Sequence, residues 1–340
     1  MRIYQRDYYD QFRCLASDCP DSCCKEWDVQ VDDQSARIYR ALPGPLGDRL
    51  RQILKDDPEY GTVMTIENGR CPMWRSDGLC QIQAELGHDA LCKTCRDFPR
   101  LTHDYGDFVE LGLELSCPEA ARLILTSPPS LLQMRQAPGE AAPEYDCDAM
   151  QILLKTRQIA LEIVSDPAYP MEKALVLLLF YGYHAQAALD GDDAGAFCPN
   201  AVLEEATQIA GDGDKDSFLA FYTDLEILTD VWAARLRSPL SGEGWSDMFR
   251  NLARYGIERY WLQAVCDYDL VSRVKMIVAS CLLVKELGGD TIATAQLYSK
   301  EIENNADNVD AILDGAYSHP ALTDRNLISL LLTEFLKNTK

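Results

Sequence analysis

At 340 residues, with 47% hydrophobic and 25% charged side chains, the chain is long enough for roughly two domains and too apolar for wholesale disorder. Its formal charge of -22 argues against nucleic acid, because a phosphate backbone needs a basic face; it suits a basic, lysine-presenting partner or simply a well-solvated surface. The longest apolar run, 174–183, contains Gly182 and falls short of the ~20 residues of a membrane span, so no membrane association is expected.

The first residues, Met1 to Asp7, carry no apolar leader, and a cytoplasmic location is expected. In a reducing compartment dense cysteines point to metal binding or catalysis rather than disulfides. Nine of the thirteen cysteines fall between Cys14 and Cys117. Their spacing is Cys14-x4-Cys19-x3-Cys23-Cys24, then Cys71-x8-Cys80-x11-Cys92-x2-Cys95, then Cys117. Buried structural cysteines turn up singly, whereas gaps of two to four residues bring sulfurs to one soft ion or cluster.

In chain order, Cys19-Pro20-Asp21-Ser22 reads as a turn that folds Cys23 and Cys24 back, the two neighbours being expected to point apart. Asp32 and Asp33 cap a short helix to Leu42, which Pro43-Gly44-Pro45 stops. A strand from Thr62 to Glu67, the Asn68-Gly69 hairpin signal and a returning strand opened by Cys71 follow, with a short helix after Cys80. A strand from Phe108 to Leu115 leads to Pro118, well suited to the first position of a helix ending near Thr126. That helix start would favour thiolate at Cys117.

Prolines and small residues break periodicity between Ser127 and Pro143, so the expected division is a cysteine-cluster domain over 1–126, a linker over 127–147 and a helical domain over 148–340. Helices are predicted at 150–165, 171–189, 199–209, 217–236, 245–265, 270–287, 291–304 and 325–337. The fold class is therefore mainly α: a small cysteine-rich α+β metal-binding domain followed by a helical bundle. Cys281 sits on a core stripe, and Cys147, Cys198 and Cys266 are isolated; none of the four is assigned chemistry.

Two metals remain open. Cys92-x2-Cys95 with Cys71 and Cys80 would complete a four-thiolate zinc knuckle, and an iron–sulfur cluster needs about four thiolates with looser spacing. Nine thiols exceed one site of either kind. No Gly-rich nucleotide loop follows a strand, so a doubly wound nucleotide-binding fold is not expected.

Phe12-x-Cys14, Cys19-x3-Cys23-Cys24-x2-Trp27, Cys71-x8-Cys80, Leu91-Cys92-x2-Cys95-Arg96-x-Phe98-Pro99-Arg100 and Leu115-Ser116-Cys117-Pro118 resemble the flagellin lysine-N-methylase family of FliB-like proteins, which share a cysteine signature with YkgJ-type cysteine-cluster proteins. Asn251-Leu252-x2-Tyr255, Arg259-Tyr260 and the run from Tyr298 to Asn308 are similar to later segments of that family. The resemblance implies methyl transfer from S-adenosylmethionine to flagellin lysines by a protein carrying a [4Fe-4S] cluster. Cys14, Cys19, Cys23, Cys24, Cys71, Cys80, Cys92, Cys95 and Cys117 are then the candidate ligands. Arg96, Arg100 and Trp27 are the candidates for the cofactor; the arginines would grip its carboxylate, or else pair with Asp97 and Glu110. Tyr8, Tyr9, Trp74 and Phe98 would line the site or form a small core around it. His88 and His103 are possible mixed ligands or bases, and no catalytic base is identified. The rival reading is a non-catalytic zinc or iron–sulfur adaptor presenting a helical domain to a partner.

Overall fold

The computed structural model describes residues 1–128, 132–139, 142–242 and 244–337. Among them, seven strands form two sheets, and helices make up most of the rest. The strands are β1 (Arg2–Gln5), β2 (Val29–Gln30), β3 (Leu54–Asp57), β4 (Gly61–Met64), β5 (Arg100–Asp104), β6 (Phe108–Leu113) and β7 (Gln133–Gln136). The larger sheet has the order β5-β6-β1-β7, with β1 parallel to β6 and antiparallel to β7. The smaller sheet, β2-β4-β3, is antiparallel. The span expected as linker thus supplies an edge strand, while 129–131 and 140–141 lie outside the described residues.

Two buried cores organise the chain. One gathers Val29, Val31, Tyr39, Leu50, Met64, Met73, Ile82 and Leu91 around the small sheet, with Cys71 and Cys92 inside it. The other runs from Phe12 and the β6 side chains Phe108 and Leu113 through the helical half to Leu332. Its axis is the Val271–Leu287 helix, buried on nearly every face rather than along one stripe; an all-round apolar helix belongs in the middle of a large core. Cys281 is fully buried there, as expected of a packing thiol. Gly182 and Gly256 bring two neighbouring helices against this axis: a Cβ at either would stand 2.8 Å from Val274 or 2.9 Å from Ile277.

Local expectations fare unevenly. Asp32 caps the Asp33–Ala41 helix by accepting from the Ser35 N–H, and that helix stops at Leu42 ahead of Pro43-Gly44-Pro45 as predicted; the same residues then open a second helix, Gly44–Ile53, absent from the prediction. Proline at the first turn gives up no intrahelical bond, which is why it opens this helix. Asn68 and Gly69 do form the tight turn, both at positive φ, yet only Glu67 and Arg70 bridge across it and Cys71 opens no strand. The predicted 217–236 helix is two, Lys215–Thr223 and Asp230–Arg237. The predicted 291–304 helix becomes a π-helical turn over Ser299–Glu303 after Tyr298, and a helix absent from the prediction occupies Ala306–Ser318. No described helix is long and apolar enough to cross a membrane.

Candidate metal centre and the pocket beside it

The small core carries several of the clustered cysteines. Asp32 accepts from the Lys93 N–H (2.8 Å) and Thr94 Oγ1 donates to the Gln30 carbonyl (2.8 Å), which pins the Cys92–Cys95 turn against β2. The Cys71 N–H donates to the Cys24 carbonyl at 2.8 Å, joining the two thiol-bearing segments. Cys71, Cys80 and Cys95 each lie within electrostatic reach of Cys24 and Cys92. Cys14, Cys19, Cys23 and Cys117 form a second such group. The chain passes from one group to the other at the Cys23–Cys24 bond.

Those adjacent sulfurs do not point apart as expected. Their thiols hydrogen-bond, which holds the Cys23 proton firmly and lowers Cys24 to about 7. Cys92 and Cys95 form a matching pair: the bond from Cys95 pulls Cys92 down, and Cys95 itself is raised by it. Burial pushes Cys71 up to about 12. Cys117 is the N-cap of the Pro118–Thr126 helix, as predicted, but burial outweighs the Ala120 and Glu119 N–H groups and raises it to about 11, so the expected thiolate bias is reversed. Among the described residues no three His, Cys, Asp or Glu side chains are drawn closely enough together to hold a metal ion. The donors are chemically suited to a soft ion or cluster, since all are sulfur.

Behind the thiols runs a polar seam. Asp21 accepts from Gln296 (2.9 Å) and pairs with Lys25 (2.6 Å) and Lys300 (3.2 Å), and Lys300 also meets Glu26. Lys300 belongs to the π-helical turn. Three residues on, Glu303 accepts from the Tyr255 and Tyr260 hydroxyls (both 2.9 Å) and faces Arg259 at 3.7 Å. A π-turn inserts one extra residue into a helix and often marks a functional position; here one turn reaches both the cysteine segment and the Asp247–Tyr260 helix.

Between β5, β6 and the Asp247–Tyr260 helix lies a pocket lined by Arg6, Tyr8, His103, Glu110, Arg157, Tyr255, Glu258 and Arg259 with apolar walls from Leu101, Leu111 and Leu113. Arg157 grips Glu110 through two 2.7 Å bonds, and Arg6 pairs with Glu258. Burial, aided by Arg259, lowers the His103 pKa and keeps the imidazole neutral.

The chain is 30% identical over 197 residues to the Lysine-N-methylase of Salmonella typhimurium, covering 55% of this chain and 48% of that protein, and equally so to the Lysine-N-methylase of Salmonella choleraesuis. It is 32% identical over 130 residues to the Flagellar biosynthetic protein FliU of Salmonella muenchen, of which it covers 77%. The chain belongs to the lysine-N-methylase and FliU family. It spans about half the length of the two lysine-N-methylases it matches. No family model and no solved structure matches it.

Within this family member, the side chains expected at the cofactor keep separate partners. The Trp27 indole donates to the Cys23 carbonyl (2.9 Å), Arg96 lies 3.4 Å from Asp97, and Arg100 sits over the Tyr9 and Phe12 rings. Glu110, a suggested partner of Arg100, is held by Arg157 instead. Trp74 stacks under Arg70, with 4.1 Å from guanidinium to ring. His88 is exposed beside Asp89, away from any thiol pair, whereas His103 joins the pocket. The pocket as a whole escaped sequence reading. Its one signal was the Tyr255, Glu258, Arg259 spacing, which places charge and hydroxyl on a buried helical face.

Proposed function

We propose that this chain is a protein-lysine N-methyltransferase that uses S-adenosylmethionine, takes flagellin as substrate, and depends on a [4Fe-4S] cluster held by its clustered cysteines. The observation that carries the reading is membership of the lysine-N-methylase and FliU family, joined to nine cysteines within residues 14–117 of the sequence. Cys24, Cys71, Cys80, Cys92 and Cys95 are the leading ligand candidates, with Cys14, Cys19, Cys23 and Cys117 as a second set. A bound cluster supplies a Lewis-acidic, thiolate-held centre at that end of the molecule.

Methyl transfer breaks a sulfonium carbon–sulfur bond, forms a carbon–nitrogen bond and releases one proton from the amine. The protein must therefore keep the lysine neutral, align nitrogen, carbon and sulfur, and surround the reacting cation with carboxylates and aromatic faces. Arg96, Arg100 and Trp27 flank the thiols and are the side chains expected to meet the cofactor there. Asp21 and Glu26, tied to Lys300, hold the thiol segment still. The acidic surface, at -22 overall, favours the approach of a lysine-presenting protein.

Radiolabelled S-adenosylmethionine, monomeric flagellin and anaerobically purified protein of measured iron and sulfide content decide the matter. Label should appear on flagellin lysines and rise with pH towards the lysine pKa of about 10.4, since only the neutral amine is nucleophilic. Flagellin binding without label at full iron content would favour the adaptor, and zinc without sulfide would replace the cluster.

A further inference from the structure

The pocket between β5, β6 and the Asp247–Tyr260 helix is unlike the rest of an acidic molecule. Arg6, Arg157 and Arg259 line it, answered by Glu258, by Glu110 and, from behind the wall, by Glu303. Fixed positive and negative groups in equal number suit a zwitterion better than a bare anion or cation. The Arg6 side chain is only 8% exposed, and its Nε is a buried donor with no partner. An unsatisfied guanidinium N–H carries a desolvation cost that an incoming carboxylate would remove. Glu258, on the same arginine, offers a carboxylate to an ammonium one or two bonds away. Leu101, Leu111 and Leu113 give an apolar wall for a short side chain, and neutral His103 adds no charge.

We propose that this pocket binds an α-amino-acid head group, its carboxylate on Arg6 and its ammonium on Glu258. The chemistry has two sources: the methionyl end of a cofactor of the S-adenosylmethionine type, or a free amino acid such as methionine. The first source rests on the methyltransferase reading; it leaves Arg96, Arg100 and Trp27 to the remainder of the cofactor.

The test uses the full chain with S-adenosylhomocysteine and L-methionine as separate probes. Hydrogen–deuterium exchange on the unaltered protein should slow in peptides covering residues 2–12, 100–113 and 247–260 when a probe is added. Protection by S-adenosylhomocysteine alone identifies the cofactor as the source, and protection by both admits the free amino acid. Arg6→Lys keeps the charge and removes the Nε donor, so it should weaken the bound probe by about tenfold with little change in melting temperature. Failure of both probes to protect these peptides, or wild-type affinity in a folded Arg6→Lys protein, overturns the assignment. Methyl transfer read in parallel separates the two ideas: label on flagellin with no protection sinks the pocket and keeps the methylase, while protection without label does the reverse.

Discussion

Lys300 Nζ stands 3.2 Å from Asp21 Oδ2, across 279 residues of sequence, and reaches Glu26 as well. One ammonium from the π-helical turn therefore fastens the segment that carries Cys19, Cys23 and Cys24 to the helical core. The same turn, through Glu303, fastens Tyr255, Tyr260 and Arg259 beside the pocket. The five-residue turn Ser299–Glu303 is thus a physical coupling between the thiol-bearing segment and the helix that lines the pocket.

Lys300→Met should test this coupling. The side chain is 11% exposed, so its removal leaves two half-buried carboxylates short of a partner, although Lys25 still serves Asp21. A loss of about 2 kcal/mol is expected in urea unfolding. An unchanged midpoint would mean that Lys300 only decorates the seam.

Glu110→Gln should be costlier. The Arg157–Glu110 pair is buried on both sides and bidentate, and an uncompensated guanidinium in that position costs about 3–5 kcal/mol. Thermal melting of the variant checks it. A shift of only a degree or two would show that water reaches the pair.

Asp32 gives a pH prediction. Hydrogen bonds from the Lys93 and Ser35 N–H groups hold its carboxyl at about 2, below the unfolded value of about 3.9. A depressed folded pKa contributes stability above the unfolded pKa and loses it as pH falls through the folded one, so the window is roughly pH 4 to 2. Asp32→Asn keeps the helix cap without the titration. Its stability relative to the native chain should be lower by at most about 1 kcal/mol near pH 7 and converge as pH falls to about 2. Parallel curves across that range would contradict the assignment.

Cysteine variants separate ligand from packing roles. Cys92→Ser and Cys95→Ser are expected to lose bound metal, measured as iron and sulfide per chain, because both belong to a thiol group. Cys281→Ser should keep the full metal content and lose about 1–3 kcal/mol of stability, since it places a hydroxyl in a fully buried site. Metal loss in Cys281→Ser would undo the distinction between clustered and isolated cysteines.

The sequence by itself determined what depends on neighbours a few residues apart. Pro118 opens its helix and Thr126 ends it; Asp290 caps Thr291 onward by accepting from the Ala293 N–H; the 171–189 and 199–209 helices have the predicted bounds. Periodicity, caps and turn residues are local forces and can be read locally. The clustering of nine cysteines within residues 14–117 is likewise a property of the sequence itself. What broke the 217–236 prediction is not local at all: the Glu226 N–H donates to Asn308 (3.0 Å) and the Leu228 N–H to Glu301 (2.8 Å), so backbone groups freed from the helix are satisfied from the far side of the π-turn. The pocket is of the same kind. Arg6 meets Glu258, and Arg157 meets Glu110, only once β1 has paired in parallel with β6 and the Asp247–Tyr260 helix has packed over the sheet. Charges this far apart in sequence carry no pattern in common, and the tertiary fold alone decides which of them are buried together.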